Sequence, residues 1–99
     1  MKEKDSLLVR FSNLFQQQRE TAPLDIENSF YEALELFMEN PLDPHPSLRN
    51  HPLKEKYRGY SSIDVTEDWR ALYKVRKTKT STTIKFHFLG THEDLYGKN

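Results

Sequence analysis

The chain contains no cysteine, which excludes disulfides, a thiolate zinc site and a cysteine nucleophile, and points to a reducing compartment such as the cytosol. Its only glycines are Gly59, Gly90 and Gly97, too few and too scattered for a glycine loop that cradles phosphates with its backbone amides. No apolar stretch approaches the roughly 20 residues needed to cross a bilayer. The start, MKEKDSLLVRF, has too short an aliphatic run for the core of a signal peptide. Net charge is also missing, because 15 Lys and Arg balance 15 Asp and Glu. That balance hides a segregation: residues 1–47 sum to −5, residues 48–86 to +6 and the last thirteen to −1. A basic second half suits a polyanion if its charges share a face, and is otherwise the solvated side of a sheet.

What the chain does have is 99 residues, enough for a single domain over 1–99 with one modest core. It also has twelve aromatic side chains to fill that core, each able to bury a large area. SLLVRF (6–11) reads as a short strand. Phe11, Leu14 and Phe15 then recur at helical spacing, predicting a helix over about 12–20 with these three on one stripe. Pro23 breaks it. Asp25 is a suitable N-cap for a second helix, in which Phe30, Ala33, Leu34, Phe37 and Met38 form the apolar face and Glu32, Glu35 and Glu39 face water. Asn40-Pro41 ends that helix. NPLDPHPSLRNHPL carries four of the five prolines and is extended, yet its leucines make it an ordered connection rather than a linker.

Beyond it the apolar period changes from helical to two. Ile63 and Val65, then Ala71, Tyr73 and Val75, then Ile84, Phe86 and Phe88 alternate with polar residues. Short connections join these three strands into an antiparallel meander. The expected fold is α+β: an antiparallel sheet of three to four strands, covered on one face by an N-terminal pair of helices.

The four histidines, His45, His51, His87 and His92, show no metal-ligand spacing, and no metal or other cofactor is expected. Proton transfer is the chemistry left open. His51 precedes the strands, Asp64 points away from the apolar side of its strand, Asp68 sits in the following turn, and His92 and Tyr96 follow the last strand. Imidazole moves protons near neutrality, a carboxylate orients it or acts as a base, and Lys or Arg stabilises charge developing on a phosphate. Together these are the requirements for RNA cleavage by the ribose 2′-hydroxyl. Each residue also has an ordinary reading: a turn cap for His51, a tight turn for Asp68, a C-terminal cap for His92 and a core position for Trp69.

NHPLKEKYRGYSSIDVTEDWRALYKV, followed by FLGTHEDLYG, resembles the RelE/ParE toxin superfamily and specifically its YafQ branch. The resemblance runs from about Asn50 to Gly97. It implies a RelE-like two-layer fold and a ribosome-dependent mRNA interferase, a metal-independent endoribonuclease that enters the decoding site and cleaves the message there. The implied partners are the ribosome-bound mRNA and a cognate antitoxin that wraps around the toxin. The toxin alone is expected to be monomeric, and to form a higher assembly with the antitoxin. Carried over residue by residue, the resemblance makes His51 the loop histidine, Asp68 the acid before the tryptophan, His92 the principal acid or base, and Tyr96 the aromatic that supports substrate. Lys54, Arg58, Arg70, Lys74 and Lys85 are the expected substrate-binding cations. His51 and Asp68 remain alternative general bases. The branch usually has a histidine where this chain has Asp64, and related toxins often have an arginine at the place of Phe88, departures that imply weakened activity. Other readings are a ParE-like gyrase inhibitor, an inactive antitoxin-binding relative or an unrelated RNA-binding module.

Overall fold

Ser12 ends the first strand and starts the first helix. In the computed structural model of the protein, which describes residues 6–96, β1 spans Ser6–Phe11 and α1 spans Asn13–Thr21. The Ser12 hydroxyl accepts from the Phe15 amide (3.0 Å) and donates to the His87 carbonyl (2.9 Å). One side chain therefore satisfies an orphan amide of the helix and pins the helix to a distant strand. Phe15 is fully buried, its ring 5.4 Å from Phe11 and 5.1 Å from Phe30. Leu14, expected on the same stripe, is instead 45% exposed, because a helical step of about 100° carries it off the face that Phe15 fixes.

Helix α2 spans Leu24–Glu39 and buries Ile26, Phe30, Ala33 and Phe37. Its N-cap is Pro23, not Asp25: the Pro23 carbonyl accepts from the Ile26 amide at 2.9 Å, and no side chain caps the end. Asp25 lies instead in the first turn with Glu27, where a negative charge favours the positive end of the helix dipole. The proline-rich connection is ordered. It makes a short 3-10 turn at Pro46–Leu48, with Leu48 buried in the core. The two-residue strand β2 follows at His51–Pro52, then a second 3-10 turn at Glu55–Tyr57.

Strands β3 (Ser61–Asp64), β4 (Trp69–Lys77) and β5 (Ser81–Thr91) form the expected antiparallel meander. The sheet has five strands, in the order β1-β5-β4-β3-β2, and is mixed because β1 pairs with β5 in parallel. This corrects the expectation of three to four antiparallel strands. Two residues are too few for β2 to show a period, and the direction of β1 depends on where the intervening helices return the chain. Phe15, Phe30, Ala33 and Phe37 of the helices share one buried core with Ile63, Ala71, Tyr73, Ile84, Phe86 and Leu89 of the sheet.

One irregularity reshapes the other face. Leu72 pairs with Phe88 while Tyr73 pairs with Phe86, so His87 is an extra residue in β5. This β-bulge reverses the alternation beyond it. Leu89 takes the core position, and Phe88 turns to the opposite face against the rings of Tyr57 (5.6 Å) and Tyr60 (5.4 Å). The expected grouping of Phe88 with Ile84 and Phe86 therefore fails at His87. The outer face thereby gains a small apolar layer of its own, on which α3 (His92–Tyr96) rests with Leu95 buried. Gly97, which closes the motif read from the sequence, lies outside the described residues.

Candidate active site

The segment that carries His92 and Tyr96 is fixed by its neighbours. The Thr91 hydroxyl accepts from the Asp94 amide (3.0 Å), and the Asp94 carboxylate accepts in return from the Thr91 amide (3.4 Å). This is a reciprocal capping box, which explains the spacing Thr-His-Glu-Asp. The His92 amide donates to the Asp68 carbonyl at 2.9 Å, and the Tyr57 hydroxyl donates to the Leu95 carbonyl at 2.7 Å. Gly90 is required by close approach: a Cβ there would lie 3.2 Å from Asp94 Cβ and 3.4 Å from Leu95 Cγ. The His92 and Tyr96 rings, one helical turn apart, meet at 4.7 Å.

Across from α3, the connection before β2 is clipped to the sheet. The Asn50 side-chain amide donates to the Ser62 carbonyl (3.1 Å) and to the Tyr73 hydroxyl (2.6 Å). His51 Nδ1 lies 2.9 Å from the Arg49 carbonyl. A carbonyl can only accept, so Nδ1 carries the proton and the neutral ring keeps its lone pair on Nε2. Type II turn geometry at Arg58-Gly59 (Gly59 φ 93°) sends the chain back into β3.

A cleft of about 310 Å³ opens between these elements, lined by Arg49, His51, Leu53, Asp64, Arg70, His92 and Tyr96. Of the five candidate catalytic residues, the fold brings His51, Asp64, His92 and Tyr96 to this lining. Asp68 is exposed in the turn, and it is the main-chain carbonyl that touches the His92 segment. Among the candidate cations, Arg70 lines the cleft. Lys74 and Lys85 lie instead in a separate groove with Arg10, Arg76, Thr83 and His87 on the outer face of the sheet. Lys54 and Arg58 are exposed and line neither. Sequence reasoning missed Arg49, whose only signal is its place just before Asn50-His51.

Electrostatically the cleft is cationic. Asp64 accepts from Arg70 Nε at 3.0 Å and Arg49 Nε at 3.2 Å, so its charge is more than matched before either histidine is protonated. Arg70 Nη1 donates to the Glu67 carbonyl (2.8 Å) and the Thr66 carbonyl (3.1 Å), which locks that side chain. Partial burial pushes the Tyr96 phenol above its ordinary pKa, with the Ser62 hydroxyl and the Arg70 charge pulling it back. Tyr96 is thus a neutral aromatic near pH 7, suited to stacking and to donating a hydrogen bond rather than to accepting a proton.

No family model matches the sequence. Over 70 residues, 71% of this chain and 72% of the relative, it is 30% identical to the mRNA interferase toxin YafQ of Escherichia coli strain B / BL21-DE3. The chain belongs to the YafQ branch of the RelE/ParE toxins. The crystal structure of YafQ from the E. coli strain BL21(DE3) superposes with a TM-score of 0.73 at 25% identity, covering 96% of this chain and 100% of that one. A YoeB/ParE toxin from Agrobacterium tumefaciens shares the fold at 15% identity, with a TM-score of 0.69 over 86% of this chain and 98% of its own. A chain of the E. coli DinJ-YafQ toxin-antitoxin complex matches at 24% identity and a TM-score of 0.63, covering 97% and 100%. Within this YafQ-branch chain the four histidines have separate surroundings. His45 Nδ1 accepts from the Ser47 amide (3.0 Å) and caps a turn, and His87 sits at the bulge. His51 and His92 face the cleft. Among the described residues no three His, Asp or Glu side chains gather as a metal site.

Proposed function

We propose that the protein is the toxin of a type II toxin-antitoxin pair, an endoribonuclease that cuts messenger RNA on the ribosome in the cytoplasm and is silenced by a cognate antitoxin. The family supports the toxin and its RNA substrate, and the antitoxin follows from the DinJ-YafQ toxin-antitoxin complex, in which a chain of this fold takes part. The single observation that carries the mechanism is the convergence of His51 and His92, from either end of the sheet-forming half, on one cleft with Arg70.

In this scheme His51 Nε2 accepts the proton of the ribose 2′-hydroxyl while the 2′-oxygen attacks the adjacent phosphorus. The bond to the 5′-oxygen breaks, and His92 donates a proton to that leaving oxygen. Arg70 stabilises the charge on the phosphorane. The products are a 2′,3′-cyclic phosphate and a free 5′-hydroxyl, with no change of oxidation state and no metal. His51 is favoured over Asp68 as the base because it lines the cleft, whereas Asp68 does not, and because its Nδ1 contact with the Arg49 carbonyl leaves Nε2 as the accepting nitrogen. Tyr96 supports the substrate and the His92 ring.

A cell-free translation assay on one defined message, with cuts mapped by primer extension, tests this reading. Wild type is compared with His92→Gln, and naked RNA with ribosome-bound RNA. The expected result is cuts in codon register, only on ribosomes, ending in a 5′-hydroxyl and lost in the variant. A product with a 5′-phosphate, or a folded, antitoxin-free wild type that leaves the message intact, overturns it.

A further inference from the structure

We propose that Arg49 is a phosphate-binding residue of the cleft, and that Asp64 holds it together with Arg70 as a two-armed clamp for a phosphodiester. The inference deepens the RNA-cleavage reading and rests on it. One carboxylate has both oxygens engaged: Oδ1 by Arg70 Nε at 3.0 Å and Oδ2 by Arg49 Nε at 3.2 Å. Each arginine spends its inner nitrogen on Asp64. Arg70 Nη1 is taken by main-chain carbonyls, whereas the Arg49 side chain is largely exposed beside the cleft. Two guanidinium groups, each with five N–H donors, held on one carboxylate leave an excess positive charge at the wall of the cleft. Planar guanidinium donors match the paired oxygens of a phosphate.

Stability does not account for this arrangement. The Arg49 side chain is 74% exposed, and an exposed ion pair adds little to folding. Arg49 also adopts left-handed backbone (φ 49°), which a residue with a side chain adopts at a cost. That conformation has two visible results. The Arg49 carbonyl receives Nδ1–H of His51 (2.9 Å), and the Arg49 guanidinium reaches Asp64. A single residue thus orients the proposed base with its main chain and brings a cation to the same cleft with its side chain.

Because the contact to His51 is through the main chain, side-chain variants of Arg49 isolate the guanidinium. Arg49→Ala is expected to lower ribosome-dependent cleavage about tenfold to a hundredfold, the loss of one charge-assisted hydrogen-bonding group. The salt slope of binding to a message with a 2′-deoxy block at the cleaved position should fall by about one. Arg49→Lys should recover part of the rate, since it restores charge without the fork. Asp64→Asn should slow cleavage in wild type but add little in the Arg49→Ala background, as expected of a residue that acts through its partner. A second measurement uses the free full-length chain: the arginine Nε–Hε signals of Arg49 and Arg70 should shift together on titration with inorganic phosphate, and Arg49 should stop responding in Asp64→Asn. Wild-type cleavage and salt slope in Arg49→Ala, with activity still lost in His92→Gln, would overturn the clamp and leave the nuclease reading intact. If wild type does not cleave RNA, the phosphate titration alone decides the clamp, and an unmoved Arg49 signal refutes it.

Discussion

Replacing Phe86 and Phe88 by alanine, one at a time, tests the bulge at His87. Phe86 is fully buried, with the rings of Phe11, Phe15, Phe30, Phe37 and Tyr73 all between 5.4 and 5.8 Å away. Deleting such a ring removes its burial and leaves a cavity that five rigid neighbours cannot fill, which places the loss near the upper end of the range, about 5 kcal/mol. Phe88 is partly exposed and meets chiefly Tyr57 and Tyr60, so its loss should cost about 2 kcal/mol. With a urea dependence of about 1.5 kcal/mol per molar, the unfolding midpoint should fall by about 3 M for Phe86→Ala and by little more than 1 M for Phe88→Ala. A protein of this size has only about 5–15 kcal/mol to lose, so at the lower end of that range Phe86→Ala is expected to be largely unfolded without denaturant. The assay is urea unfolding followed by far-UV circular dichroism and by tryptophan fluorescence from Trp69. Equal shifts, or a larger one for Phe88→Ala, would mean that the two-residue alternation continues through His87 and that the outer apolar layer does not exist.

Tyr57→Phe removes the hydroxyl that donates to the Leu95 carbonyl and keeps the ring against Tyr96 (5.7 Å). It should loosen α3 by about 1 kcal/mol, read as roughly fivefold faster amide exchange at Leu95 and Tyr96 with little change in the core. Gly90→Ala places a Cβ 3.2 Å from Asp94 Cβ and should displace α3, reducing RNA cleavage more than it reduces the unfolding midpoint. Burial raises the Tyr73 pKa, with Asn50 and Ser61 pulling it back. The folded state therefore keeps the phenol proton longer than the unfolded chain does. The stability this represents is complete below the ordinary value of 10.0 and is lost as pH rises through the folded value. Tyr73→Phe should flatten that alkaline decline, measured as midpoint against pH. For His87 the sign is opposite: burial, then Lys85 and Lys74, lower its pKa, so its contribution is complete above 6.5 and lost as pH falls.

Local sequence determined a good deal of this protein. The approximate bounds of β1 and α1, the apolar face of α2 and the order of the three-stranded meander follow from period, from Pro23 as a stop signal, and from short connections. These depend on interactions within a few residues, which a sequence displays directly. His51, Asp64, His92 and Tyr96 were recognisable as residues capable of the chemistry, and the family pattern gave them an order. Only the tertiary structure decided where they go. The parallel pairing of β1 with β5 depends on the path of two intervening helices, and the turning of Phe88 depends on one extra residue opposite Leu72 and Tyr73. The separation of Arg70 in the cleft from Lys74 and Lys85 in the outer groove depends on how far α3 and the Tyr57 turn cover the sheet. Asp64 read in sequence as an anion out of place beside a phosphate site. In the fold it is the carboxylate on which Arg49 and Arg70 meet, because the connection before β2 returns over β3 at a distance in sequence that no local pattern records.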